Sequence, residues 1–133
     1  MSTTQAGNAK RSVFVRYHLP FIVYAVLVLG VSSLPNLKSP DTGGLPFDKV
    51  AHVVEYAVFA LLASRSMRRW VTYRLLLWVF SLTVVFALID EFHQKFIPGR
   101  EFDPLDYVAN VAGALLGLVL VLIIRRRRRG ATT

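Results

Sequence analysis

The amino-acid sequence predicts an all-α membrane protein, a polytopic four-helix bundle with short loops and with both termini on the cytoplasmic side. The 133 residues are 54% hydrophobic and only 18% charged, and the mean hydropathy is +0.48. This composition is too apolar for an ordinary soluble domain. The apolar segments have about the 20 residues that a helix needs to cross a bilayer. No cysteine is present, so disulfides and thiolate metal ligands are excluded.

The first apolar segment has two interpretations. A basic region before a run of about fifteen apolar residues fits a cleaved signal peptide. An uncleaved membrane helix is preferred, because residues 16–34 approach the length that spans a bilayer. On that interpretation, the membrane domain covers residues 16–124, between a disordered N-terminus, 1–15, and a basic tail, 125–133.

Three further helices are expected after loops or turns. The last one should begin at Pro104, since proline fits the first helical position and Asp103 can accept hydrogen bonds from the free amides. Asp48 is a similar N-cap candidate for the second helix. Gly113 and Gly117 are four residues apart and predict close contact with a neighbouring helix. The expected ranges are 47–67, 75–92 and 104–124.

The basic residues predict the orientation of the bundle. With a cytoplasmic N-terminus, the inside segments contain twelve of the sixteen Lys and Arg residues, and the outside segments contain four. The positive-inside rule therefore places both termini in the cytoplasm. The run 125–129 directly follows an apolar segment, which is typical of a topology determinant and argues against a nucleic-acid partner.

Acids, histidines and amides gather at the outer ends of the last three helices. His52 and Glu55 are three residues apart and share one helix face. At about 1.5 Å per residue, Glu55 lies roughly 10 Å deeper than Asp48, where a charge is costly without a partner. The candidate acid, base or ligand residues are His52, Glu55, Asp90, Glu91 and His93. The candidate substrate contacts are Lys49, Gln94, Arg100, Asp106 and Asn110.

Several chemistries fit these residues. Structural hydrogen bonds between membrane helices usually involve Ser, Thr, Asn or Gln, so histidines and acids favour a functional pocket. General acid–base catalysis is one possibility. A divalent metal is another, although no strong zinc signature is present. Lys49 and Arg100 can either pair with Glu55 or Asp90 or bind an anionic headgroup. The candidate metal ligands are His52, Glu55, Glu91 and His93.

Five short motifs carry a resemblance to a known family. In chain order they are Ser32-Ser-x-Pro35, Asp48-Lys-x-x-His-x-x-Glu-Tyr56, Asp90-Glu-x-His-Gln94, Phe96-x-Pro-Gly-Arg100, and Asp103-x-x-Asp106 with Asn110 and Gly113. Across residues 19–122 the chain resembles the VanZ-like family of small bacterial membrane proteins. The segment from Asp103 to Asp106 departs from a pattern that often has more Ser or Thr, and this leaves the N-cap prediction intact.

The resemblance implies an uncleaved multi-pass protein of the bacterial cytoplasmic membrane. The founding member of the family is associated with reduced susceptibility to the glycopeptide teicoplanin, which acts on cell-wall precursors outside the membrane. The resemblance thus links the chain to the cell envelope, without implying that it confers resistance.

Three functional hypotheses follow. The first is an extracytoplasmic polar pocket that binds, and can modify, a lipid-linked precursor or a phospholipid headgroup; whether the protein is an enzyme stays open. The second is a non-catalytic accessory or scaffold protein, in which the polar cluster only locks the helices together. The third, an ion or proton pathway, ranks last because the inner halves of the helices carry almost no polar groups.

Overall fold

The computed structural model describes residues 11–35, 47–68 and 72–130. These residues form four helices, and none of them forms a strand. The all-α, four-helix prediction is therefore confirmed. The helices are α1 (Arg11–Ser32, with a π-helical segment Phe14–His18 followed by Leu19–Ser32), α2 (Phe47–Ser66), α3 (Thr72–Gln94) and α4 (Pro104–Gly130).

Three of these helices are long and apolar enough to cross a membrane. They are α1, α3 and α4, with 22, 23 and 27 residues. Helix α2 has 20 residues and a length of about 30 Å, which is the thickness of the hydrocarbon core. Its charged residues include Glu55 in the middle of the helix, and its most extensive packing is against α4.

The N-terminal half of α1 extends further than expected. The helix begins at Arg11, inside the segment expected to be disordered, and residues 1–10 lie outside the described part of the chain. Directly after this extension, α1 contacts the end of α2. His18 Nδ1 lies 2.6 Å from Ser66 Oγ, and Arg65 donates to the Arg16 carbonyl oxygen at 3.3 Å.

Helix α4 also continues beyond its expected end. It runs through most of the basic tail to Gly130. Arg125 donates to the Thr72 hydroxyl at 3.2 Å and to the Arg68 carbonyl oxygen at 3.3 Å, which joins α4 to the α2–α3 connection. These hydrogen bonds, together with an unbroken backbone ladder, favour helix over an irregular tail.

Two glycines set the distance between α2 and α4. A Cβ atom added to Gly113 would overlap the Val53 carbonyl oxygen, and one added to Gly117 would lie 2.6 Å from the Ala57 carbonyl oxygen. The predicted close contact at these glycines is confirmed, and the neighbour is α2. Because Val53 follows His52 and Gly113 lies one turn after Asn110, this contact brings the polar residues of the two helices together.

The two N-cap predictions have different outcomes. Asp103 Oδ1 accepts a hydrogen bond from the Leu105 amide at 2.8 Å, so Asp103 caps α4 as expected. Asp48 lies inside the first turn of α2, which begins at Phe47, and it is therefore not the N-cap.

The half of the bundle away from the polar residues has an apolar core. Leu75 and Val79 of α3 pack there against small residues of α2 and against Leu118 of α4. The buried members of the core are Ala60, Ala63, Leu75, Val79, Leu118 and Val121.

Candidate functional site

A chain of hydrogen bonds links α2, α4 and α3 at the polar end of the bundle. His52 Nδ1 lies 2.9 Å from Asn110 Oδ1, and Asn110 Nδ2 donates to Glu91 Oε1 at 3.2 Å. Because the Asn110 amide nitrogen faces a carboxylate, its carbonyl oxygen faces His52 and needs a donor there. His52 therefore carries a proton on Nδ1, and the Nε2 atom of the neutral ring has the lone pair.

Asp106 lies on the other side of the His52 ring. Its Oδ1 atom is 3.6 Å from His52 Nε2 and 2.5 Å from the Lys49 ammonium nitrogen. We call His52, Glu91, Asp106 and Asn110 the polar centre. The four residues come from three helices, and the sequence predicts that they lie at one end of the bundle without identifying which of their atoms meet.

Lys49 is held by acids at the start of α4. Its ammonium group contacts Asp103 at 2.5 Å, Asp106 at 2.5 Å and Asp48 at 3.2 Å. This pairing differs from the expected partners, Glu55 and Asp90. The hydrogen bond from Lys49 lowers the pKa of the Asp103 carboxyl group below its ordinary value. While these contacts last, Lys49 is not available to an external anion.

Asp90 occupies a separate buried position beside the polar centre. Its side chain is 1% exposed, and Oδ2 accepts a hydrogen bond from the Tyr56 hydroxyl at 3.0 Å. Its other oxygen, Oδ1, is buried without a hydrogen-bond partner among the described residues. Tyr56 was not among the predicted site residues, although its position one turn after His52 places it on the same helix face.

His93 connects α3 to the end of α1. Its Nε2 atom lies 2.9 Å from Ser33 Oγ, and the Ser33 hydroxyl donates to the Leu29 carbonyl oxygen at 2.6 Å. Since that hydroxyl has one proton, it accepts from His93, whose Nε2 must carry a hydrogen. His93 thus has a helix-linking position outside the polar centre. Ser33 was also not among the predicted site residues, although it belongs to the Ser32-Ser-x-Pro35 motif at the end of the first apolar run.

Glu55 and Arg100 lie on the side of the bundle that faces α1. Glu55 is half-buried and close enough to both Asp90 and Arg100 for electrostatic interaction. The turn before Arg100 requires a left-handed residue, which Gly99 supplies with φ of 76°. The Arg100 Nε atom is buried and has no hydrogen-bond partner among the described residues. Gln94 is buried at the end of α3.

An apolar groove of about 570 Å³ lies between α1 and α2. Leu27 and Val31 form one wall, and Val50 and Val54 form the other. Among the described residues that line it, Glu55 is the one with a charged side chain. We call this cavity the α1–α2 groove. In a bilayer it would open towards lipid, because the residues around it are predominantly apolar.

Within the described ranges, one group of side chains has the geometry of a metal site. His52, Glu91 and Asp106 each offer one ligand atom, and these atoms all lie within 4.8 Å of one another. Two of the expected ligands, His52 and Glu91, belong to this group. The other two, Glu55 and His93, do not, because they face the α1 side of the bundle. Asp106, expected as a substrate contact, takes their place.

Comparisons with known proteins support the family resemblance. Searches of curated proteins and of solved structures each found no match to this chain. The family described as VanZ/LLP1 matches residues 2–125. This range includes all residues of the polar centre and of the α1–α2 groove, and nearly all of the bundle. The chain belongs to the VanZ/LLP1 family.

Proposed function

We propose that this membrane protein binds a lipid or lipid-linked component of the bacterial cell envelope. The polar headgroup would contact the polar centre, and an acyl chain would occupy the α1–α2 groove. The positive-inside rule favours the extracytoplasmic face of the cytoplasmic membrane for this site.

One observation carries the proposal: the two parts of the site adjoin on α2. Glu55 lines the α1–α2 groove, and His52 of the polar centre lies three residues before it on the same helix. A ligand that occupies both parts must be amphipathic, with its polar group next to an apolar chain. Membrane lipids have this character, and sites for such ligands combine a large apolar surface with a few polar groups.

The polar centre also contains groups that can transfer protons. His52 and Glu91 are connected through Asn110, so a proton change at one residue affects the hydrogen bonds of the other. Modification of a bound headgroup is therefore part of the proposal. Lower susceptibility to teicoplanin would follow if the bound component were the cell-wall precursor on which that antibiotic acts.

A matched pair of substitutions tests the groove. Val54 lines the groove and is 56% exposed, whereas Val85 of α3 lies outside it and is 55% exposed. We expect Val54→Trp to fill the groove and to reduce the lipid retained by the purified protein, as measured by native mass spectrometry. Val85→Trp should leave lipid retention unchanged. Equal retention in both variants would contradict a groove-bound lipid.

A scaffold function is the second candidate, and it also has structural support. Side-chain hydrogen bonds at the polar end connect all four helices, through Ser33–His93, His52–Asn110 and Tyr56–Asp90. In a scaffold, His52→Ala would lower the amount of folded protein in the membrane. In a binding protein, the same substitution would reduce headgroup binding at unchanged abundance. Quantitative membrane immunoblotting, together with the lipid measurement, separates the two.

A further inference from the structure

We infer that a divalent transition-metal ion, Zn²⁺ or Mn²⁺, binds between His52, Glu91 and Asp106, where it gives this acidic site affinity for a phosphate group. The inference deepens the proposed function and rests on it for the phosphate ligand. Binding of the metal stands on the geometry of the three side chains.

The first argument is the geometry. The three ligand atoms lie within 4.8 Å of one another, and each comes from a different helix. Metal–ligand bonds of about 2.1 Å place neighbouring ligands about 3.4 Å apart around a tetrahedral ion. Side-chain shifts of about 1 Å reach that separation. The backbones need not move, since the glycine contacts already hold α2 and α4 together.

The second argument is the state of the His52 ring. Asn110 accepts a hydrogen bond from Nδ1, so the lone pair of the neutral ring is on Nε2, which faces the Asp106 carboxylate at 3.6 Å. A lone pair opposite a carboxylate is unfavourable unless a proton or a cation lies between them. Metal-ligating histidines commonly donate their other N–H to an oxygen acceptor, and Asn110 provides one here.

The third argument is the burial of Glu91. The side chain is 0% exposed. Oε1 accepts from Asn110, whereas Oε2 is buried without a hydrogen-bond partner in the part of the chain that the structure describes. A buried carboxylate with an unpaired oxygen needs a cation or a proton. It therefore points to a ligand independently of the spacing of the three atoms.

Lysine and arginine do not fill this need. Lys49 contacts the three acids at the outer edge, and among the described residues no Lys or Arg forms an ion pair with Glu91. Asp106 Oδ1 contacts Lys49 and also lies 3.6 Å from His52 Nε2, so an ion at this site would share that carboxylate with Lys49. One imidazole and two carboxylates suit Zn²⁺ or Mn²⁺ better than a hard cation such as Ca²⁺.

A bound ion would also explain how an acid-rich site accepts a phosphate. Three protein ligands leave an open coordination position, as in catalytic metal sites. A phosphate oxygen can fill that position, while the carboxylates alone would repel it.

The first experiment measures metal in the full chain, purified in detergent after removal of any affinity tag. We expect inductively coupled plasma mass spectrometry to find about one equivalent of Zn²⁺ or Mn²⁺ per chain. Asp106→Asn and His52→Gln should each reduce the affinity at least tenfold. Asp103→Asn is the matched control, because Asp103 contacts the same lysine but offers no atom to the group.

A measurement on the unchanged protein avoids variants that fail to fold. Chelation should lower the midpoint of thermal unfolding, and addition of Zn²⁺ or Mn²⁺ should restore it, because an ion that binds only the native state stabilises it. Metal below one tenth of an equivalent, with no thermal response to either ion, would overturn the inference in favour of a shared proton.

The phosphate step has its own test. Metal-loaded and chelated protein are mixed with inorganic phosphate or reconstituted in nanodiscs containing phosphatidylglycerol. If the protein retains phosphatidylglycerol only when metal is bound, and does not bind inorganic phosphate, the phosphate group comes from a lipid headgroup. If the metal-loaded protein binds inorganic phosphate, the ligand is a free anion. Lipid retention that is equal with and without metal overturns the inference and leaves the proposed function in place. Metal binding without retention of any lipid or phosphate overturns the proposed function and the phosphate step.

Discussion

The Nδ1 atom of His52 lies 2.9 Å from the Asn110 carbonyl oxygen, and Asn110 is 0% exposed. This contact stands one helical turn from Gly113, where α2 and α4 approach too closely for any side chain. The polar centre is therefore built on the most closely packed helix pair of the bundle. Rigid backbones of this kind hold functional side chains more accurately than loops do.

Substitution of Gly113 by Ala should destabilise the protein. The added methyl group would meet the Val53 carbonyl oxygen, and overpacking of this kind costs about 1–3 kcal/mol. Gly30→Ala is the control, because a Cβ at that position of α1 meets nothing within 4 Å. Thermal unfolding in detergent measures the stability of both variants. A Gly113→Ala protein as stable as the Gly30→Ala protein would show that α2 and α4 are less closely packed.

Removal of the Tyr56 hydroxyl should also lower stability. Tyr56→Phe leaves Asp90 Oδ2 without its donor in a buried position, and an unsatisfied buried acceptor costs about 1–3 kcal/mol. Tyr73→Phe is the matched control, since Tyr73 is 64% exposed. Denaturation curves of the Tyr56→Phe and Tyr73→Phe proteins measure the difference in their stability. Equal stabilities would indicate that the Asp90 carboxyl group is satisfied in another way.

The pairing of Asp103 with Lys49 should appear as a pH dependence at acidic pH. The folded-state pKa of Asp103 is lowered, so its contribution to stability is present above the ordinary carboxyl pKa of about 3.9. It is lost as the pH falls through the lower, folded-state pKa. Asp103→Asn keeps a good N-cap residue but removes the charge.

The measurement is the difference in unfolding midpoint between the natural protein and Asp103→Asn. We expect this difference to be present at pH 7 and to become smaller as the pH falls below about 3.9, where the unfolded chain binds the proton more readily than the folded protein. The effect should be modest, because a partly exposed ion pair is screened by solvent. If the difference did not change with pH, it would come from the N-cap hydrogen bond of Asp103 and not from its ion pair with Lys49.

Much of the fold follows from local features of the sequence. Apolar segments of membrane-spanning length predict the four helices, and the Asp103-Pro104 pair predicts the start of α4. Gly113 and Gly117 predict a close helix contact, without identifying α2 as the neighbour. The sequence does not predict the ends of α1 and α4, which both continue into the basic segments that flank them. In the α4 extension, Arg125 donates to the Thr72 hydroxyl.

The grouping of polar residues at one end also follows from the sequence, because it depends only on where each helix begins and ends. The partner of each side chain was decided by the tertiary structure. On a helix with about 100° per residue, His52 and Glu55 differ by about 60° around the axis. That angle separates the polar centre from the α1–α2 groove. The rotation of α2 that decides between them is set by its contact with two glycines of α4, about sixty residues further along the chain.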